Sequence, residues 1–156
     1  MLAVKIVCVG KLKEQFNLMA VKEYEKRLGA FCRFEVIEIS ESRLPENPSD
    51  SQIQQGLITE GKQILSKAKG EIVPLCIEGK LQSSEDMAKL LSGAMEYPGS
   101  ISFIIGSSFG LSEEVKKSGK GISMSRMTFP HGLARVILTE QIYRGFQILQ
   151  GAKYHK

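Results

Sequence analysis

The chain has 156 residues, of which 42% are hydrophobic and 24% are charged, and its net charge is +4. These values are typical of a globular protein and argue against a disordered chain, while no apolar run reaches the length of about 18 residues that a membrane-spanning helix needs. We therefore expect one cytoplasmic domain spanning residues 1–156 without a membrane segment, and the positive charge permits a nucleic-acid partner without requiring one.

Strand-like and helix-like segments alternate along the chain. Strands are predicted at 4–9, 34–39, 72–77, 101–105 and, more weakly, 121–124. Helices are predicted between them, at 16–28, from 50 to about 68, after Ser83, at 113–118 and from Pro130 to Leu149. This order predicts an α/β fold, with a mostly parallel sheet that carries helices on both faces.

Local signals place the helix ends and the buried helix faces. Ser49 with Gln52, and Ser83 with Asp86, have the spacing of a capping box, and Ser112 is a further N-cap. Residues 40–48 contain two prolines and are predicted to form a mobile loop. The expected buried faces comprise Phe16, Met19, Ala20, Tyr24 and Leu28, then Met87, Leu90, Leu91, Ala94 and Met95, and finally Leu133, Ala134, Ile137, Leu138, Ile142, Phe146 and Leu149.

Ligands of such sheets bind beyond the carboxyl ends of the strands, which directs attention to residues 75–80, 106–111 and 125–130. The turn from Gly106 to Gly110 could bind a ligand or could be a plain tight connection. The Rossmann glycine fingerprint, the P-loop and the nucleophile elbow of hydrolases are all missing. Pro130 suits the first helical position of the last helix.

Polar residues of the last helix and the tail are candidates for chemistry. His131 could be catalytic or could simply hydrogen-bond across the turn, and Glu140 and Arg144 have the spacing of a helix ion pair. The aromatic and basic tail, residues 151–156, could meet RNA or a partner subunit. Two histidines without a metal-binding spacing, and three scattered cysteines, predict no metal site and no disulfide framework.

The chain resembles the RlmH family, the SPOUT-class methyltransferases that act on pseudouridine in 23S ribosomal RNA. The resemblance runs over almost the whole length, through VGKLKEQF, EYEKRLG, CIEGKLQSSE, FIIGSSFGLS, SMSRMTFPHGLARVILTEQIYRGFQIL and the terminal YHK. The last two long blocks are the most specific. Family members usually carry a second glycine where this chain has Ser107.

The resemblance implies a SPOUT-type α/β knot, with a trefoil knot in the C-terminal part, and a homodimer. It also implies that S-adenosyl-L-methionine binds mainly to backbone groups of the knotted loops. Carried onto this sequence, the cofactor-binding residues would be Leu75, Gly106, Ser107, Met124, Ser125, Arg126, Met127, Thr128, Phe129 and Pro130.

The implied reaction is methylation of N3 of a pseudouridine in 23S ribosomal RNA, with the tail of one subunit completing the site of the other. The candidate catalytic residues are Arg144, Glu140, His131, Tyr154 and His155. Arg126, Arg135 and Lys80 are the expected phosphate contacts. Two alternatives stay open at this stage, a non-enzymatic ribosome- or RNA-binding module of the same fold and a methyltransferase that acts on transfer RNA.

Overall fold

The computed structural model describes residues 1–156 and contains five strands and five helices. The strands are β1 (Ala3–Val9), β2 (Arg33–Ile39), β3 (Glu71–Leu81), β4 (Ser100–Ile105) and β5 (Ile122–Ser123). The helices are α1 (Gln15–Leu28), α2 (Asp50–Lys67), α3 (Ser84–Glu96), α4 (Glu113–Lys117) and α5 (His131–Leu149). All strand pairs are parallel, in the order β2-β1-β4-β3-β5, so the predicted α/β sheet is confirmed.

Helices cover both faces of the sheet, as predicted. On one face α1, α3 and α5 bury side chains such as Leu91 and Ile142 against the strands. On the other face α2 and α4 contribute Ile64 and Val115 to a second, smaller core. Because both faces are covered, the central strands are apolar without interruption, which is why they were recognisable in the sequence.

The predicted N-caps of α2, α3 and α4 are confirmed. The hydroxyl of Ser49 accepts from the N–H of Gln52 at 3.2 Å, and that of Ser83 accepts from the N–H of Asp86 at 3.0 Å. In both boxes the third-position side chain also accepts from the backbone N–H of the cap residue, and Ser112 accepts from the N–H of Val115. None of the five helices combines the length and the apolar character that crossing a membrane would require.

The predicted buried face of α1 is wrong at Phe16 and Met19 and correct at Leu28. Phe16 and Met19 are 68% and 62% exposed, whereas the helix buries Asn17, Val21 and Leu28. The buried stripe of the helix lies about 100° to 140° around the helix axis from Phe16. The predicted buried faces of α3 and α5 are wrong at their ends, because Met95 of α3 and Leu133 and Leu149 of α5 are exposed.

The segment between β2 and α2, predicted to be a mobile loop, is tied to α2. The N–H of Ser42 donates to the carboxylate of Glu60 at 2.7 Å, and the hydroxyl of Ser42 donates to the carbonyl O of Gly56 at 3.0 Å. The mobility of this segment stays a prediction. The trefoil knot also stays a prediction, because the strand order does not define how the chain threads.

Candidate active site

The turn after β4 contains a glycine that has no room for a side chain. A Cβ atom on Gly106 would overlap the carbonyl group of Gly110, and Ser107 forms an isolated antiparallel bridge with Gly110. The hydroxyl of Ser107 accepts from the N–H of Phe109 at 3.3 Å. No residue other than glycine has a positive φ, so Ser107 replaces the usual glycine without backbone strain.

The end of β3 lies against β5. Leu75 pairs with Ile122, and Lys80 pairs with the same residue, so residues 76–79 form a bulge that is not paired with β5. The N–H of Lys80 donates to the carbonyl O of Gly121 at 3.1 Å, so pairing with β5 resumes after the bulge. Leu75 is therefore a close neighbour of the strand from which the loop at residues 124–130 departs.

That loop is held by the side chain and the backbone of Ser125. Its carbonyl O accepts from the hydroxyl of Ser123 at 2.9 Å, and its hydroxyl accepts from the N–H of Met127 at 3.0 Å. These bonds give the loop a defined shape although it contains no glycine. Four predicted cofactor residues of this loop are exposed to solvent, namely Arg126, Met127, Thr128 and Pro130, while Met124 and Phe129 are half-buried.

The start of α5 forms a cleft with the ends of β1 and β4. Pro130 is the N-cap residue, one position before the helix, rather than the first helical residue as predicted. The cleft has a volume of about 340 Å³, and Ser107, Pro130 and His131 lie in its wall with Lys11 and Lys13. This volume is near the lower end of the range of roughly 300 to 1,000 Å³ that small-molecule sites occupy, so part of a cofactor or a nucleotide would fit.

Four of the five predicted catalytic residues form one cluster around Arg144. Its Nε lies 2.8 Å from Oε1 of Glu140, and its guanidinium lies 4.7 Å from the centre of the Tyr154 ring. Nη1 of Arg144 is 3.2 Å from Nδ1 of His155, and Nε2 of His155 is 2.8 Å from Oε1 of Glu85. The tail thus folds back onto α3 and α5 of its own chain.

The fifth residue, His131, is not part of this cluster. It lies at the first turn of α5 in the cleft wall, and Arg144 follows it by 13 positions, which is about 20 Å along an α-helix. The side chains of a single chain therefore separate into two groups, one beside the predicted cofactor loops and one around Arg144.

Ionisation distinguishes the roles that the cluster residues can take. The hydrogen bond to Glu140 raises the pKa of Arg144, so the guanidinium keeps its charge at every working pH. Burial, followed by the charge of Glu140, raises the pKa of Tyr154 to about 12. Near neutral pH Tyr154 is thus a protonated hydrogen-bond donor rather than a general base.

The prediction that Arg135 contacts phosphate is wrong. Its side chain is 4% exposed, with Nη1 2.7 Å from Oε2 of Glu38 and Nη2 donating to the carbonyl O of Gly10 at 3.1 Å. Arg135 therefore joins α5 to the ends of β1 and β2. Lys80 and Arg126 are exposed and remain available for an anion.

We expect Arg135→Ala to lower the free energy of unfolding by about 2 to 4 kcal/mol, because it leaves a carboxylate and a carbonyl group without their donor. Urea unfolding followed by circular dichroism measures this change. Arg126→Ala, in an exposed loop, is the matched control and should change stability by less than about 0.5 kcal/mol. Equal stability of the two variants would contradict a structural role for Arg135.

Glu85 and the two cleft lysines, Lys11 and Lys13, were not predicted as site residues. Lys11 and Lys13 carry a weak signal, because basic residues directly follow a buried strand. Glu85 carries no signal, since it contacts His155, which lies 70 positions away.

No group of three or more His, Cys, Asp or Glu side chains is arranged to hold a metal ion. Burial raises the pKa of the Cys8 thiol to about 11 and that of the Cys32 thiol to about 12.

Comparison with known proteins gives a family and close relatives. The family model described as "Predicted SPOUT methyltransferase" matches residues 2–155. Proteins named ribosomal RNA large subunit methyltransferase H from Pediococcus pentosaceus and Ligilactobacillus salivarius are 45% and 46% identical to the chain. Each match covers 98% of this chain and 99% of the relative.

Solved structures with the same fold are more distant in sequence. A probable methylase family protein from Haemophilus influenzae has a TM-score of 0.56 at 12% identity, over all of this chain and 72% of that one. A putative methylase family protein from Neisseria gonorrhoeae has a TM-score of 0.50 at 15% identity, over 90% and 81% of the two chains. At these identities the likeness concerns the fold alone.

Proposed function

Because this chain belongs to the SPOUT methyltransferase family, we propose that it methylates large-subunit ribosomal RNA, at N3 of a pseudouridine in the 23S molecule. The observation that carries the proposal is the extent of the relationship, 45% identity over 98% of the chain, and the family match over residues 2–155 includes the loops and the cluster described above. In this proposal residues 1–156 form a single methyltransferase domain.

We propose S-adenosyl-L-methionine as the methyl donor, bound by Leu75, by Gly106 and Ser107, and by the loop at residues 124–130. Two contacts support this set. Leu75 lies beside β5, from which the loop departs, and the loop ends at Pro130, which shares a cleft wall with Ser107. When bound, this cofactor supplies a methyl group on a strongly electrophilic sulfonium, so the protein mainly has to orient the acceptor nitrogen.

Arg144 is the residue that we assign to the acceptor. N3 of the base is an imide nitrogen whose proton must pass to solvent water, and a fixed cation beside the ring lowers the free energy of the resulting anion. Arg144 meets this requirement, because Glu140 both orients the guanidinium and keeps it charged. Tyr154 adds a hydrogen-bond donor beside it. Lys80 and Arg126 are proposed to contact RNA phosphates.

The separation along α5 supports a site shared between two subunits. Arg144 lies about 20 Å along α5 from His131, next to which the cofactor loop ends, so these two residues of one chain do not act on the same atom. In a homodimer the Arg144 cluster of one subunit could face the cofactor loops of the other. Large exposed apolar side chains near these regions favour such an association, among them Phe16, Ile77 and Met127.

The direct test incubates the purified protein and labelled S-adenosylmethionine with ribosomes that lack the methyl group. We expect label in 23S RNA at one pseudouridine, located by digestion and mass spectrometry. Label in transfer RNA, but none in ribosomes, would replace the substrate assignment. Cofactor binding in calorimetry without transfer to any RNA would instead favour a non-enzymatic ribosome-binding role.

A further inference from the structure

The tail histidine lies between a cation and an anion, and this arrangement determines its tautomer. Arg144 has only donors, so the contact of 3.2 Å between Nη1 and Nδ1 of His155 requires a lone pair on Nδ1. The proton of a neutral ring is then on Nε2, which lies 2.8 Å from Oε1 of Glu85. Glu85 accepts this hydrogen bond.

The same contacts close a ring of polar side chains that begins and ends on α3. Next to Glu85, the hydroxyl of Ser84 donates to Oε1 of Gln141 at 2.6 Å. Nε2 of Gln141 donates to Oε1 of Glu140 at 3.3 Å, and Glu140 holds Arg144 from the side opposite His155. The guanidinium is therefore fixed through two independent routes that both start at the first turn of α3.

We infer that Glu85 is a positioning residue for the methyl-transfer site, because it holds His155 as the Nε2–H tautomer whose Nδ1 aligns Arg144. This inference rests on the proposed function of Arg144. It also assigns a role to His155, whose only lone pair is already directed at Arg144. His155 orients the guanidinium and is not the general base in this arrangement.

The contribution of Glu85 is to orientation rather than to folding. Its side chain is 58% exposed, and polar contacts at such positions, even ion pairs, contribute little to stability. The hydrogen bond from His155 is also the main reason why the pKa of Glu85 is lowered, so the carboxylate stays ionised near neutral pH. Glu85→Ala should consequently fold normally and still mis-orient the tail.

The test compares Glu85→Ala with Glu85→Gln in the full-length protein, with Glu96→Ala at the far end of the same helix as the control. The tautomer of His155 is read from its ring ¹⁵N shifts, which are assigned by their loss in His155→Gln, since the chain has only two histidines. We expect the wild type and Glu96→Ala to show the Nε2–H form and Glu85→Ala to show a mixture. The amide oxygen introduced by Glu85→Gln has no charge but can still accept the hydrogen bond, so this variant should keep the wild-type tautomer.

Activity on ribosomes gives a second readout. We expect Glu85→Ala to lower kcat by about tenfold or more at unchanged KM for the cofactor, with Glu85→Gln within about twofold of the wild type. Unchanged ¹⁵N shifts and kcat in Glu85→Ala would overturn the inference. If the wild type transfers no methyl group, the proposed function fails, and the ¹⁵N shifts alone still decide whether Glu85 positions His155.

Discussion

Replacing Arg144 by alanine is expected to lower kcat for methyl transfer by about a hundredfold or more, with the affinity for the cofactor within about twofold of the wild type. The reason is that the guanidinium lies among Glu140, Tyr154 and His155, about 20 Å along α5 from the helix start where the cofactor loop ends. Single-turnover kinetics on ribosomes and calorimetry with the cofactor measure the two quantities. Arg144→Lys should restore little, because an ammonium cannot bridge Glu140 and His155 as the planar guanidinium does.

Arg27 offers a matched control for this variant. It also pairs with a glutamate one turn earlier, at 2.8 Å from Glu23, and lies 5.2 Å from the centre of a tyrosine ring, that of Tyr24. Arg27→Ala removes the same chemical group from an exposed site that reaches the tail only through the ring of Tyr143, which packs on Tyr154. A comparable loss of kcat in Arg27→Ala would mean that Arg144 acts through general charge or stability rather than at the reacting base.

Mixed dimers extend the experiment to the shared site. Co-expressed Arg144→Ala and Gly106→Ala chains should recover activity, although each variant alone is nearly inactive. If the site combines Arg144 of one subunit with the cofactor loops of the other, random mixing restores about a quarter of the wild-type sites. Activity no higher than the average of the two separate variants would place both groups in one subunit.

The helices that could be predicted well are those whose ends depend on neighbouring residues. Ser49 with Gln52, and Ser83 with Asp86, exchange hydrogen bonds across three positions, so the residue types alone define the start of α2 and α3. The face of a helix depends instead on what packs against it. Asn17 is buried in place of Phe16 because α1 meets the start of α5, where a Cβ atom on Gly132 would lie close to the side chain of Asn17.

The candidate site shows the same division between local and distant contacts. The Glu140–Arg144 pair could be predicted because a helix brings residues four apart into contact. Arg135 was misread as a phosphate ligand because its partner Glu38 lies 97 positions earlier, at the end of another strand. Glu85 could not be identified at all, since only the return of the tail onto α3 brings His155 to it.

Gly106→Ala is the second variant for which we expect a large effect. The added Cβ atom would overlap the carbonyl group of Gly110 and lie 2.8 Å from Cδ2 of Leu111, so the turn after β4 has to open. We expect a loss of about 1 to 3 kcal/mol in the free energy of unfolding from this overpacking. Because Ser107 and the cleft wall move with the turn, cofactor affinity should fall by about a hundredfold, equivalent to about 2.7 kcal/mol.

Gly93→Ala is the control that separates the local effect of a Cβ atom in the turn after β4 from the general effect of replacing glycine by alanine. Gly93 lies on the exposed face of α3 with no atom within 4 Å of an added Cβ, so alanine there should stabilise the protein by about 0.5 to 1 kcal/mol and leave cofactor binding unchanged. Thermal unfolding and calorimetry at a temperature where every variant is folded supply both values. If Gly106→Ala loses stability but keeps its affinity for S-adenosylmethionine, the glycine serves only the tight turn, and the cofactor must bind without help from the end of β4.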